Sequence, residues 1–244
     1  MEERNRKLVE TLIDKILEIY KAPNFAILAV TVIIITFIVI VGIKLKRHDP
    51  TKPTKGILLL AEMLVNWTNN MCKETLGSRW KEVAPFVLFE CIFLFVSNLS
   101  GLIGLTPPTA NVCVTLALGI VAGFVIHFMA IKHSGMKNYL KGYLDPFPKF
   151  PIMLPINIFS ELVTPISMGL RLFGNIFSGT VVMTLIYYVL GQLWISVVPI
   201  GYIVTPLITS VLHAIFDVFL GLIQVYVFML LTVVFISTKI PEEE

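Results

Sequence analysis

A permanently charged residue, Arg171, lies within a long uncharged part of the sequence. Its nearest charged neighbour upstream is Glu161, and residues 172–216 contain no Asp, Glu, Lys or Arg. Placing an arginine in the middle of a membrane-spanning helix costs about 2.5–3.5 kcal/mol on insertion scales. The guanidinium cannot escape that cost by losing its proton, because its pKa lies above about 12. Such a residue indicates an ion pathway; the alternative is an arginine that only ties helices together.

Polar side chains repeat on the same predicted helical face as this arginine. At about 100° per residue, five of them fall within about 40° of it: Ser160, Thr164, Ser167, Asn175 and Ser178. Each one alone is typical of ordinary packing between membrane helices, but together they form a polar stripe around a fixed charge. Three small residues, Gly169, Gly174 and Gly179, predict that another helix approaches closely.

The last apolar segment carries a second polar stripe, formed by Ser210, His213, Asp217 and Gln224. His213 and Asp217 are four residues apart and can therefore touch on a helix. Both can exchange protons, whereas Gln224 can only orient a water molecule or a carboxylate. Because an intramembrane carboxylate is costly unless it is paired, protonated or hydrated, we interpret this stripe as part of an ion path. The alternative is a His–Asp hydrogen bond that joins two helices.

Two further carboxylates need an interpretation. Glu161 lies about 80° from the Arg171 face, near the predicted cytoplasmic end of its helix, where it either lines an inner water cavity or is a solvated helix-end residue. Glu90 lies within an apolar segment and is better explained as a structural residue than as part of a path.

The composition requires that these residues sit in a membrane protein. The chain of 244 residues is 56% hydrophobic and 14% charged, whereas soluble domains carry roughly 25% charged residues. Its uncharged runs are at least as long as the roughly 20 residues that a helix needs to span a bilayer. We therefore predict an all-α polytopic membrane protein with about five membrane segments: a first helix at 23–43, a hairpin at 82–131, and two long helices within 152–238.

The remaining segments are predicted to lie at or outside the membrane surface. Residues 1–22 read as an amphipathic interfacial segment without a cleavable signal peptide. A cytoplasmic basic loop and an interfacial helix are predicted at 44–81, a cytoplasmic loop at 132–151 and a cytoplasmic tail at 239–244. The lysines and arginines of the two loops place the N-terminus outside and the C-terminus inside.

Four segments resemble subunit a of rotary F-type ATP synthases, in the same order as in that family. They are LFVSNLSGLIG, PTANVCVTLALG, SMGLRLFGNIFSG and HAIFDVFLGLIQVYVFMLLT, and the resemblance covers most of residues 85–238. It implies a long, tilted helical hairpin packed against a c-ring, with two offset aqueous half-channels. It also implies that Arg171 is the family's essential arginine, the gate of the ion path, and that Asn175 and Gln224 are its polar partners.

Two positions depart from the family pattern. The best-known bacterial members carry Glu nine residues after the arginine, where this chain has Thr180, and His seven residues before the glutamine, where it has Asp217. One acidic group has thus moved from one helix to the other, which makes Asp217 the expected relay of the outer half-channel. The family's upstream glutamate is about one turn further from the arginine than Glu161 is, a spacing that preserves the helix face.

The resemblance predicts a stator ion-channel subunit for ATP synthesis and proton transport, in which Arg171 prevents a short circuit between the half-channels. The expected partners are the c-ring, peripheral-stalk b subunits and the lipid bilayer, in a bacterial cell membrane. We expect no nucleic acid, no nucleotide bound by this chain, no cofactor, no metal and no catalysis by the chain alone. The alternatives are sodium as the coupling ion, a secondary transporter, which the lack of internal repeats disfavours, and a non-transporting scaffold.

Overall fold

The computed structural model describes residues 23–49, 53–103, 105–143, 153–194 and 198–240. Of these, 93% are helical and none forms a strand, which confirms the predicted all-α class. The helices are α1 (Pro23–Arg47), α2 (Ile57–Leu76), α3 (Trp80–Ser100), α4 (Val112–Ser134), α5 (Met136–Gly142), α6 (Met153–Trp194), α7 (Val198–His213) and α8 (Leu220–Lys239). A π-helical turn, Ala214–Phe219, joins α7 to α8.

Five helical segments are long and apolar enough to cross a membrane within the described part of the chain. They are Phe25–Arg47, Ile57–Ser100, Val112–Ser134, Leu154–Gly191 and Pro206–Lys239. Their number agrees with the sequence prediction. The amphipathic segment predicted at 1–22 and most of the tail at 239–244 lie outside the described residues.

The second of these segments contains a break at Gly77. This glycine has φ +59°, a left-handed conformation that a side chain disfavours, and it separates α2 from α3. Residues of α2 pack against both α3 and α8: Met71 and Cys72 join the same buried cluster as Val87 and Phe228. That α2 lies at the membrane surface stays a prediction.

A tightly packed bundle of α2, α3, α4 and α8 forms the core. Its fully buried side chains include Leu94, Phe228, Met229 and Val233. Because lipid tails are as apolar as these side chains, close packing rather than escape from water stabilises such contacts.

Helices α4 and α6 approach each other backbone to backbone. A methyl group on Gly119 would lie 2.2 Å from the carbonyl oxygen of Pro165, and one on Gly169 would lie 2.6 Å from that of Thr115. A methyl group on Gly123 would lie 2.8 Å from Cβ of the Pro165 ring. These contacts fix the rotation of α6 about its axis, and therefore the direction in which its polar stripe points.

The three glycines singled out on α6 behave differently. Gly169 admits α4, as expected. A methyl group on Gly179 would only touch Phe216, at 4.0 Å, and one on Gly174 would meet nothing within 4 Å in the described chain. No helix of the described chain approaches Gly174 closely, so the expected close contact at that position stays a prediction.

Candidate functional site

Arg171 lies on the open surface of the helical bundle. It is exposed, whereas its neighbours Met168 and Leu172 on α6 are buried at 2% and 0% exposure. Its guanidinium forms no hydrogen bond or ion pair with any residue in the described part of the chain. Packing of α6 on α4 thus turns a fixed positive charge outward, away from the core and toward whatever covers this face.

Asn175 and Gln224, the two predicted polar partners of the arginine, contact each other. The Asn175 amide nitrogen donates to Gln224 Oε1 over 2.5 Å, which joins α6 to α8. Gln224 is 4% exposed, and its Nε2 has no hydrogen-bond partner among the described residues. Leaving a buried amide group without a hydrogen-bond partner is energetically costly. The Gln224 side-chain NH2 group is therefore expected to donate to a water molecule or to an oxygen of another group.

A cavity of about 350 Å³, the Thr180 cavity, begins at this contact. Its polar lining consists of Asn98, Thr106, Asn175, Thr180, Thr184, Tyr187, His213 and Gln224. The Tyr187 hydroxyl lies 2.7 Å from His213 Nε2, and Thr180 donates to the carbonyl of Ile176 in its own helix. Four of the predicted site residues, Asn175, Thr180, His213 and Gln224, therefore share one cavity.

Asp217 belongs to the π-helical turn between α7 and α8. Its side chain lies outside the described residues, so its contact with His213 and its role as a relay stay predictions. The turn begins immediately after His213 and ends before Leu220, and both of these residues line the Thr180 cavity. Single turns of π-helix inside α-helices are frequent at functional sites.

A second cavity, the Glu161 cavity, has a volume of about 650 Å³ and lies toward the N-terminal end of α6. Its polar lining consists of His127, Ser134, Asn138, Tyr139, Tyr143, Asn157, Ser160, Glu161, Thr164, Thr238 and Lys239. No residue lines both cavities. Ser160 and Thr164 of the predicted stripe face this cavity, whereas Ser167, which is exposed, lines neither.

A dense polar network surrounds the Glu161 carboxylate. It accepts hydrogen bonds from the Tyr139 hydroxyl over 3.2 Å, from the Tyr143 hydroxyl and from the Lys239 ammonium. His127 Nδ1 lies 3.8 Å from Glu161 and 2.9 Å from the Tyr139 hydroxyl. The network joins α4, α5, α6 and the end of α8.

Burial, and then the negative charge and hydrogen bond of Glu161, raise the pKa of Tyr139 to about 12. The hydroxyl therefore keeps its proton at neutral pH and can donate a hydrogen bond to the carboxylate. Two tyrosines and a lysine thus hold the Glu161 carboxylate at the wall of a polar cavity. The carboxylate is accessible to solvent there, because the side chain is 24% exposed.

Sequence reasoning did not assign roles to Tyr139, Tyr143, His127 or Lys239. The two tyrosines are four residues apart in a segment predicted to be a loop, and this spacing was the available signal that they share a helical face. Asn98 was also missed: it donates to the Gly221 carbonyl over 3.0 Å and accepts from Thr109 over 3.1 Å, next to the Thr180 cavity.

Glu90 faces the core rather than either cavity. It is 2% exposed, and its Oε2 has no partner among the described residues. Within those residues no group of three or more His, Cys, Asp or Glu side chains is placed to hold a metal ion.

This geometry defines a class of multi-pass membrane protein. In this class a permanently charged cation lies on the exposed surface of the helical bundle, and along its helix it stands between two separate polar cavities. Comparison with known proteins identifies the family. A sequence model of the ATP synthase A chain matches residues 25–237, and the chain therefore belongs to the ATP synthase subunit a family.

Three relatives show how far the similarity extends. ATP synthase subunit a of Mycoplasma genitalium is 33% identical over 230 residues, covering 86% of this chain and 77% of that protein. The subunit of Limosilactobacillus fermentum is 34% identical over 222 residues, with 87% and 89% covered. That of Streptococcus agalactiae is 34% identical over 232 residues, with 91% and 92% covered.

Proposed function

We propose that this chain is the stator ion channel of a rotary ATP synthase in a bacterial cell membrane. In this function it passes protons to and from a rotating c-ring, and peripheral-stalk b subunits hold it in place. The observation that carries the proposal is the position of Arg171, an exposed cation without a partner in the described chain, between two cavities that share no lining residue.

The two cavities are the proposed half-channels. The Glu161 cavity is assigned to the cytoplasmic side, because it adjoins the basic segment that begins at Lys132, and the Thr180 cavity to the outer side. Along α6, Pro165 and Asn175 mark their nearest edges, about 15 Å apart at 1.5 Å per residue. A proton would therefore have to leave one cavity on a ring carboxyl and travel with the ring before it reaches the other.

Arg171 acts on that carboxyl by its charge. An opposite charge within about 4–6 Å lowers a carboxyl pKa by roughly 1–3 units, so an arriving ring carboxyl would release its proton near the guanidinium. The carboxylate would then accept a proton from the other cavity before it returns to lipid, where it must be neutral. The guanidinium cannot carry the proton itself because it does not deprotonate.

On the outer side, Asp217 is the proposed relay, and His213 and Tyr187 line the cavity assigned to that side. On the inner side, Glu161 is the proposed exchange group. Protons rather than sodium ions are the proposed coupling ion because these groups exchange protons, and Asn175 and Gln224 are proposed to orient water or the ring carboxylate close to Arg171.

The direct test is ATP-driven acidification of vesicles that contain the complete complex with Arg171→Ala. We expect coupled transport to be lost. ATP-driven acidification at a rate near that of the parent would indicate that Arg171 is only a packing residue and would contradict the proposal.

A further inference from the structure

A basic pocket lies where α1 ends and α2 begins, apart from both cavities described above. It encloses about 450 Å³, and its lining residues are Lys44, Arg47, His48, Pro53, Lys55 and Leu58. None of them lines the Thr180 cavity or the Glu161 cavity. The pocket is therefore independent of the proposed ion path.

The charges that line this pocket are all positive. Lys44, Arg47 and Lys55 come from two different segments, and no carboxylate is among the lining residues. Within the described chain, the side chains of these three residues form no ion pair or hydrogen bond. The nearby carboxylate of Glu62 instead accepts from Thr54 over 2.5 Å. Three cations thus converge on a pocket whose lining residues include no carboxylate.

The pocket lies at the level expected for lipid headgroups. Helix α1 has 25 residues and is thus about 37 Å long, whereas the apolar core of a bilayer is roughly 30 Å thick. Its last turn, with Lys44 and Arg47, therefore reaches the boundary between hydrocarbon and water. On the same two helices, apolar side chains close in sequence to the lining residues are exposed: Ile43 is 50%, Leu45 61% and Leu60 63% exposed.

We propose that this pocket binds the phosphate headgroup of an anionic phospholipid, whose acyl chains lie along the flanking apolar side chains. The planar Arg47 guanidinium suits bidentate contact with phosphate oxygens, and Lys44 and Lys55 supply point charges. Free inorganic phosphate would find the same cations but would leave the apolar flank uncovered. Each basic residue near an anionic leaflet favours binding by about fivefold.

The test uses the complete complex in mixed micelles that contain phosphatidylglycerol with a photoreactive group near the headgroup end of one acyl chain. Cross-linked peptides are mapped for the parent, for Arg47→Gln, and for the triple variant Lys44→Gln, Arg47→Gln, Lys55→Gln. The matched control is Lys46→Gln, which removes a charge from the same helical turn but outside the pocket. ATP-driven proton pumping, which these substitutions should leave unchanged, shows that each variant has assembled.

We expect labelling within residues 43–60 in the parent and in Lys46→Gln, about fivefold less in Arg47→Gln, and only background in the triple variant. Phosphatidylcholine with the same photoreactive group should give background, and excess inorganic phosphate should not compete. Equal labelling by the two lipids, or full labelling of the triple variant, would overturn the proposal. Competition by inorganic phosphate would show a site for free anions instead, and background labelling of the parent within the complete complex would show that another subunit covers the pocket; either result would overturn the proposal.

Discussion

At the scale of single residues, we propose one explanation, based on the Thr180 cavity, for the two departures from the family pattern. Thr180 lines the cavity from α6, while His213 and Leu220 line it from the two ends of the turn that contains Asp217. An acidic group at position 180 would therefore enter the same cavity that we assign to Asp217. We therefore propose that the two positions are alternative places for one carboxyl group.

Replacing Asp217 with Asn should lower ATP-driven proton pumping by about tenfold or more, because it keeps the shape but removes the titrating proton. Asp217→Glu should retain a large part of the rate. The double variant Thr180→Glu, Asp217→His should recover part of the activity lost in Asp217→Asn. Normal pumping by the Asn variant would eliminate Asp217 as the relay.

The ion pair between Lys239 and Glu161 yields a second prediction. Both side chains are partly exposed, at 23% and 24%, so loss of the lysine should be milder than breaking a fully buried pair. We expect Lys239→Gln to slow pumping by about two- to tenfold, because Glu161 loses the partner that holds it at the cavity wall. Lys239→Arg should restore most of the rate.

The matched control for this experiment is Lys141→Gln. Lys141 lies on α5 near the same network, but its side chain forms no hydrogen bond or ion pair in the described chain. If Lys141→Gln slowed pumping as much as Lys239→Gln, a general loss of positive charge would explain both, and the positioning role of Lys239 would be refuted.

The sequence was informative about residues on one helix and uninformative about residues brought together from distant segments. Helical spacing alone placed Arg171 and Asn175 on neighbouring positions of a stripe. The contact of Lys239 with Glu161 spans 78 residues, and no local pattern encodes such a pairing. The roles of Tyr139 and Tyr143 were not predicted for another reason. The helix at this position has only seven residues and directly follows the end of α4, so its sequence resembles that of a polar loop.

At the scale of helices, the contact between α4 and α6 sets the direction of Arg171. Gly169 and Arg171 are two residues apart, about 200° around the helix, so burying the glycine against α4 turns the arginine to the opposite side. The sequence marked Gly169 as a close contact but not its partner Gly119, because small residues in a membrane helix are common. The π-helical turn was also not predicted, since nothing in its composition, AIFDVF, differs from the helices around it.

Substitution of Gly119 tests this arrangement. A methyl group there would collide with the Pro165 carbonyl, so Gly119→Ala must separate α4 from α6 and should destabilise the fold by about 1–3 kcal/mol. Gly42→Ala is the control, because nothing lies within 4 Å of its added methyl group. The midpoint of thermal unfolding of the purified complex should fall only for Gly119→Ala; equal midpoints for the two variants would disprove the close contact.

At the scale of the whole molecule, the proposed function requires that the two polar cavities remain separate. Apolar side chains, including the buried Met168 and Leu172, lie between them along α6. Exposed apolar side chains of α6 such as Leu170 and Phe177 lie about 100–120° around the helix from Arg171 and flank its polar face, as expected for a surface covered by lipid or another membrane protein. A charge in that setting needs a partner, which the proposed ring carboxylate supplies.

Proton flux through vesicles that contain the complete complex, measured with ATP and then with an imposed gradient but no ATP, tests this central claim most directly. The variants are Arg171→Ala, Arg171→Lys and the control Leu185→Ala, which shortens an exposed apolar side chain of the same helix. We predict no ATP-driven gradient for Arg171→Ala, a passive leak in its place, and strong impairment of Arg171→Lys, because an ammonium can lose its proton when desolvated. ATP-driven gradients close to those of Leu185→Ala, with no leak, would contradict the account.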